Sequence, residues 1–302
     1  MTKRIKGDTV FDTCVVAFMT LFLLVELYPL YFTVIASFSD PYAVAKGRVY
    51  LFPSGFNTAA YKQVFAYTPI WIGYMNTVFY TVCGTALSLS LTLPTAYTLS
   101  KKTLPLRGSI TMFFLFTMYF SGGMIPSYLL IRSLNLINTR WVLVLVGSFS
   151  VYNMVISRVF FMSSIPEEIY EAARIDGASD FNQFFRIALP LAAPLIAVIT
   201  LYYAVGNWNS YFSAMLYITK RNLEPLQSVL RRVLIMNENA MNEEILNDTL
   251  PPGELLDRVR RSYSVYTMKY AMVFIASLPL LVAYPFIQKY FVRGIMIGSL
   301  KG

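Results

Sequence analysis

The chain has 302 residues, of which 56% are hydrophobic and only 14% charged, with a formal net charge of +9 and a mean hydropathy of +0.54. Such a composition lies far from that of a soluble domain and describes an integral membrane protein. It turns the basic balance away from nucleic acid, because Lys and Arg of a membrane protein gather beside its spans on the cytoplasmic side. The absence of histidine removes the usual general base, which speaks against a membrane enzyme.

Lys3, Arg4 and Lys6 precede an apolar run from Val10 to about Phe38. The run is longer than the apolar core of a signal peptide and lacks a small-residue cleavage site, so a retained span over 10–38 is expected. Glu26 inside it must face protein, water or the interface, either as a helix-end carboxylate or on a path through the bundle. Residues 39–68 are polar and turn-rich, with Asp40-Pro41, Pro53-Ser54-Gly55 and a short amphipathic piece around Ala59 to Phe65. They read as an extramembrane loop with an interfacial helix.

A second span over 69–99 carries Asn76-Thr77 and a string of small or hydroxyl residues, Thr81, Gly84, Thr85, Ser88, Ser90 and Thr92, which lets helices approach closely. Lys101-Lys102 and Arg107 form a tight basic loop. The third span, 110–131, is interrupted by Ser121-Gly122-Gly123 and Pro126, tolerated at depth where neighbours or a cavity satisfy the freed backbone. A fourth covers 141–162 and contains Asn153. The fifth, 191–218, holds the cluster Asn207-Trp208-Asn209-Ser210-Tyr211, which should face the bundle interior. Lys220 to Tyr266 is the longest hydrophilic segment, with an amphipathic helix near Pro225 to Leu234, an acidic pair Glu243-Glu244 and a break at Pro251-Pro252-Gly253. The sixth span covers 267–291, and Val292 to Gly302 forms a small tail. Cys14 and Cys83 both fall in apolar stretches and suggest neither a disulfide framework nor a metal site.

Between the fourth and fifth spans lies a polar island, 163–190. Ser163 and Ser164 can cap, Pro166 suits a first helical turn, and Glu167 and Glu168 complement the positive end of a helix dipole. The spacing predicts a helix from about Pro166 to Asp176, a left-handed turn at Gly177, and a second helix from Asp180 to Ala188 capped by Ser179 and ended by Leu189-Pro190. Six spans place both termini on one side. Counting short loops, the Lys101 loop and the island are cytoplasmic, as are both termini, and 39–68 and 219–266 lie outside.

The island matches, position for position, the E-A-A-x-x-x-G-x9-I-x-L-P signature of bacterial ABC importer permeases at Glu171, Ala172, Ala173, Gly177, Ile187, Leu189 and Pro190. Ser164-Ile165-Pro166, Asp176-Gly177-Ala178, Ala96 to Lys101, Trp208-Asn209 and the ending from Gln288 to Gly294 resemble the second permease subunit of maltose-type importers, close to the oligosaccharide and polysaccharide-fragment branch. The resemblance implies one permease domain over 1–302: an all-α, six-span, type I ABC importer fold in the bacterial cytoplasmic membrane. It implies that 163–190 is a coupling loop seated on a cytoplasmic ATPase through Glu171, Ala172, Ala173, Arg174, Asp176 and Gly177. The implied partners are a second permease forming a heterodimer, two ATPase subunits and an extracellular solute-binding protein.

No G-x-x-x-x-G-K-[ST] phosphate loop occurs in the chain, so no cofactor is expected on it, with ATP and magnesium on the partner ATPase. Asn76, Asn153, Trp208, Asn209 and Tyr211 combine hydrogen bonding and rings with membrane depth and are candidates for the translocation path of a sugar. The tail with Gly294, Gly298, Lys301 and Gly302 suits either an insertion at the ATPase interface or a solvated end. The alternative cargo for the same machine is a peptide, amino acid or polyamine.

Overall fold

A computed structural model describes residues 6–235, 267–285 and 288 of the chain, and among these there are helices and no strand. Lys3, Arg4, the Glu243-Glu244 pair, the Pro251-Pro252-Gly253 break, the end of the sixth span and the tail from Val292 lie outside the described residues. In chain order the helices are α1 (Lys6–Ser37), α2 (Pro41–Ala45), α3 (Ala59–Ala66), α4 (Thr68–Ser100), α5 (Arg107–Tyr119), α6 (Met124–Ser133), α7 (Arg140–Leu145) and α8 (Val151–Ser163). The polar island supplies α9 (Glu167–Ile175) and α10 (Asp180–Gln183), a π-helical turn (Phe184–Ala188) and α11 (Leu189–Leu191). Then come α12 (Ala193–Trp208), α13 (Tyr211–Tyr217), a helix over 226–235, here α14, and α15 (Thr267–Pro285). Three described helices are long and apolar enough to cross a membrane: Val10–Ser37, Thr68–Ser100 and Thr267–Pro285.

The chain divides into two compact units, Met1–Thr68 with Leu230–Ser277, and Pro69–Val229 with Leu278–Gly302. In the first, the apolar length of α1 is unburied, with Phe18, Leu21, Phe22, Leu24 and Leu30 all open, as suits a helix solvated by lipid. Its C-terminal end is held. Ile35 and Ala36 pack with Ala43, Val44, Val49 and Tyr270. Tyr28 and Tyr31 donate their hydroxyls to the carbonyls of Tyr50 and Leu51, and Asp40 caps α2 by accepting from the Tyr42 amide at 2.8 Å.

The second unit is built around α4. Its 33 residues span about 50 Å, well beyond the ~30 Å of hydrocarbon, so its last turn emerges from the bilayer. One face buries Tyr80, Thr85, Ser88, Thr92, Ala96 and Tyr97. Two hydroxyl residues bond across helices where no water is available: Thr92 meets the Tyr203 hydroxyl of α12 at 2.6 Å, and Thr85 accepts from the Asn207 amide at 3.4 Å. Outside that zone Asn76 donates to the carbonyls of Asn222 and Glu224 at 2.8 and 3.1 Å, and the Thr77 hydroxyl accepts from the Leu226 amide at 2.8 Å. Those bonds satisfy the turn leading into α14.

The chain is broken in the expected third, fourth and fifth spans. α5 and α6 meet at 108° across Phe120–Gly123, where Gly123 takes φ +88°. α7 and α8 are separated by a stretch containing Gly147 at φ +79°. The helical run Asp180–Leu191 meets α12 at 82° near Pro190 and Pro194, whose rings remove two helix-bonding amides. Asn209-Ser210 then separates α12 from α13.

A close backbone crossing gives a test of this packing. A Cβ on Gly73 would lie 3.1 Å from the Leu226 Cα, whereas one on Gly108 would meet nothing within 4 Å. Gly73→Leu is therefore expected to cost about 1–3 kcal/mol through overpacking and to lower the thermal midpoint of the purified protein, while Gly108→Leu leaves it unchanged.

Candidate functional site

Two features combine polar chemistry with apolar surroundings: the island between α8 and α12, and a cavity in the membrane-spanning part of the same unit.

In the island, α9 places Tyr170 and Ala173 against the protein and leaves Glu168, Glu171, Ala172, Arg174, Ile175 and Asp176 exposed. Acidic residues occupy its first turn and Arg174 its last, in line with the helix dipole. Its end is a Schellman motif, with the Ala178 amide donating to Ala173 O at 2.9 Å and the Gly177 amide to Arg174 O at 3.1 Å. That geometry sets Gly177 at φ +79°, which glycine alone adopts without penalty. Ser179 then caps α10, its hydroxyl accepting from the Asn182 amide at 3.3 Å. Both sequence-derived turns are thus present.

The island is pinned to the end of α4 by Lys101. Its ammonium lies 3.2 Å from the centre of the Tyr170 ring and 4.7 Å from that of Tyr97. It also donates to Gln183 Oε1 at 3.4 Å, while the fully buried Gln183 donates to Ala178 O at 3.2 Å. Tyr97 in turn meets Phe184 at 5.0 Å in a tilted pair and lies edge-on to Phe161 at 5.7 Å. Burial lowers the pKa of Lys101, opposed by the nearby carboxylates of Glu167 and Asp180. Burial, reinforced by Glu167, pushes the Tyr170 hydroxyl up to about 12. The last carbonyls of α4 are capped by arginines from two other elements, Arg158 Nε to Leu99 O at 2.9 Å and Arg107 to Ser100 O at 3.4 Å. α4, α8 and the island therefore end in one polar joint.

Away from the joint the island presents apolar side chains. Ile175 is 87% exposed and Phe181 70%, with Phe185 beside it, rimmed by Glu168, Glu171, Asp176 and Asp180. An exposed apolar patch with a charged rim, outside the spans, is a surface built to be covered. Gln183, Ile175 and Phe181 were not singled out from sequence, and Lys101 was read only as part of a basic loop and of a family resemblance. Ile175 and Phe181 carried a usable signal, since both are large apolar residues at positions of short helices whose neighbours are charged.

The cavity has a volume of about 430 Å³ and lies between the start of α8 and the junction of α12 and α13. Asn153 and Asn209 both line it, with Tyr202, Ser210, Phe212 and Ser213 among the other walls. The remaining path candidates lie elsewhere. Asn76 spends its amide on the 222 and 224 carbonyls. Trp208 is buried edge-on to Tyr74 at 5.8 Å, and the half-exposed Tyr211 contacts Phe212 at 6.4 Å.

Removing the Lys101 pin tests the joint. Lys101→Ala leaves Gln183 Oε1 and two tyrosine faces without their cation, a loss of about 1–3 kcal/mol. Hydrogen exchange over 164–189 should accelerate while exchange in the middle of α4 stays unchanged, and Lys101→Arg should restore most of the protection.

Comparison with known proteins places this geometry. The family model described as "binding-protein-dependent transport system inner membrane component" matches residues 1–297. The chain is 39% identical to Protein LplC of Bacillus subtilis (strain 168) over 299 residues, covering 98% of this chain and 97% of that protein. It is 36% identical over 297 residues to the polygalacturonan/rhamnogalacturonan transport system permease protein YtcP of the same strain, covering 98% and 99%. A chain from the crystal structure of a bacterial ABC transporter involved in the import of the acidic polysaccharide alginate superposes with a TM-score of 0.83 at 32% identity, covering 96% of this chain and 100% of that one. With its capped two-helix island between apolar helices, the chain belongs to the family of binding-protein-dependent transport system inner membrane components.

Proposed function

We propose that the chain is the membrane-spanning permease subunit of an ATP-driven ABC importer that carries an oligosaccharide or polysaccharide fragment into the cytoplasm. The observation that carries the reading is the island itself: a rigidly capped pair of helices, pinned to the bundle on one face and apolar and uncovered on the other. The family membership and the sugar-transporting relatives support the cargo. The chain works beside a second permease, with two cytoplasmic ATPase subunits and an extracellular binding protein. ATP and magnesium belong to the ATPase, no cofactor belongs to this chain, and both termini face the cytoplasm.

In this reading the ATPase seats the exposed face of α9 and α10, with Glu171, Ala172, Arg174 and Asp176 around Ile175. Ala173 serves by packing the helix close to its own bundle, and Gly177 by turning the chain. Force leaves the island along two routes. One is the Lys101 clasp onto α4; the other is covalent, through the π-helical turn and Pro190 into α12. The two meet again at the Thr92–Tyr203 hydrogen bond, so a displacement of the island reaches the cavity walls from both sides.

Ile175→Asp tests the docking face with little risk to the fold, since the side chain touches little of its own protein. The complex should lose its ATPase subunits about tenfold or more readily in co-purification, as loss of an interface anchor does, and lose sugar-stimulated ATP hydrolysis. Gly177→Pro, which removes a bonded amide and the positive φ, should abolish uptake while the protein still inserts in the membrane. Normal ATPase assembly and uptake in both variants would sink the coupling role.

A further inference from the structure

Resting on the reading of this chain as a sugar permease, we infer that the cavity between α8 and α12 is a sugar subsite belonging to this subunit, and that it accepts an uncharged ring rather than a uronate. At about 430 Å³ the cavity falls in the size range of small-molecule sites, roughly 300–1,000 Å³. Its walls offer the amides of Asn153 and Asn209, the latter also donating to Val205 O at 3.1 Å, and the hydroxyls of Tyr202 and Ser213. Amides and hydroxyls both donate and accept, as sugar hydroxyls do, so either orientation of an incoming O–H finds a partner. The Phe212 ring supplies an apolar surface of the kind a pyranose face requires.

The same walls are poorly made for a carboxylate. No Lys or Arg lines the cavity, and a desolvated carboxylate without a cation is costly. The one feature that would favour an anion is the N-terminus of α8, and three of the amides around it are already engaged. The Ser150 amide donates to the Tyr203 hydroxyl at 3.1 Å, the Asn153 amide to Ser150 Oγ at 3.3 Å, and the Met154 amide to Ser150 O at 3.0 Å.

The break at Asn209-Ser210 interrupts an otherwise continuous span and places both residues on the cavity wall.

The test is site-directed labelling in the assembled transporter, with both permeases, the ATPase and the binding protein. Ser213→Cys is introduced after Cys14→Ser and Cys83→Ser, and the rate of maleimide labelling is measured. The probes are an α-1,4-linked galactose trimer and the matching galacturonate trimer, which differ only at C6. The galactose trimer at about ten times its half-saturating concentration should slow labelling about tenfold, with the galacturonate trimer having no effect. Adding Asn209→Lys should make the galacturonate trimer protective. Equal protection by both trimers, or protection by the galacturonate alone, overturns the preference for an uncharged ring. Uptake of either trimer with no protection, or a thiol unreactive even without sugar because the second permease covers it, overturns the subsite. Uptake of peptides or polyamines and of no sugar would sink the cargo reading itself, a result distinct from both.

Discussion

An ammonium group against the face of Tyr170, 3.2 Å from the ring centre, is the contact on which the arrangement of the island end depends. Lys101 follows directly on the last residue of α4, so its position is set by that helix. It is desolvated enough that its pKa falls, which is the cost of holding a cation between aromatic rings. The returns are the ring contacts and the bond to Gln183, and Gln183 in turn fixes the turn after Gly177 through Ala178. Tyr97 backs the clasp from α4, its ring meeting Tyr170 of α9 at 6.0 Å and Phe184 at the end of α10 at 5.0 Å. The clasp makes a loop of short helices, none of which would be stable alone, into a body that moves with the bundle.

A second constraint acts inside the bilayer, where every break in a helix frees amides and carbonyls that hydrocarbon cannot satisfy. Two of the breaks have polar company. The gap before α8 lies beside Ser150, Tyr203 and the cavity, and the gap between α12 and α13 opens on the same space. The one cavity described thus sits where two helices stop short, as expected if irregular backbone at depth is tolerated only where it lines something. Breaks, cavity and the Thr92–Tyr203 bond form one connected region that the island can reach through α4 and α12.

What was legible in the sequence was chemistry confined to a few neighbouring residues. Gly177 and Ser179 announced their turn and cap because the residues they bond are within six positions. The apolar runs of α1 and α4 needed only composition. Asn76 shows the limit: its amide bonds carbonyls 146 and 148 residues away, and nothing near it in the chain signals that. Lys101 reads as an ordinary basic-loop charge, because the rings that receive it lie on α4 and on α9. Nor could the 108° bend between α5 and α6 be read from Ser121-Gly122-Gly123, since glycines permit a break but the surrounding packing chooses its direction.

The π-helical turn from Phe184 to Ala188 has a separate consequence. A π turn accommodates one residue more than an α turn, so it acts as a phase adjuster between the island and the fifth span. Deleting a single residue there would let the turn relax to α-helix and rotate everything before it by about 100° about the helix axis. Phe184, now against Tyr97, would lose its seat, and the exposed face of α9 would point away from its present direction. A chimera that grafts another permease's island onto this chain must therefore conserve residue count across 184–188 before it conserves residue identity, because register at this joint sets the bearing of the exposed face of α9.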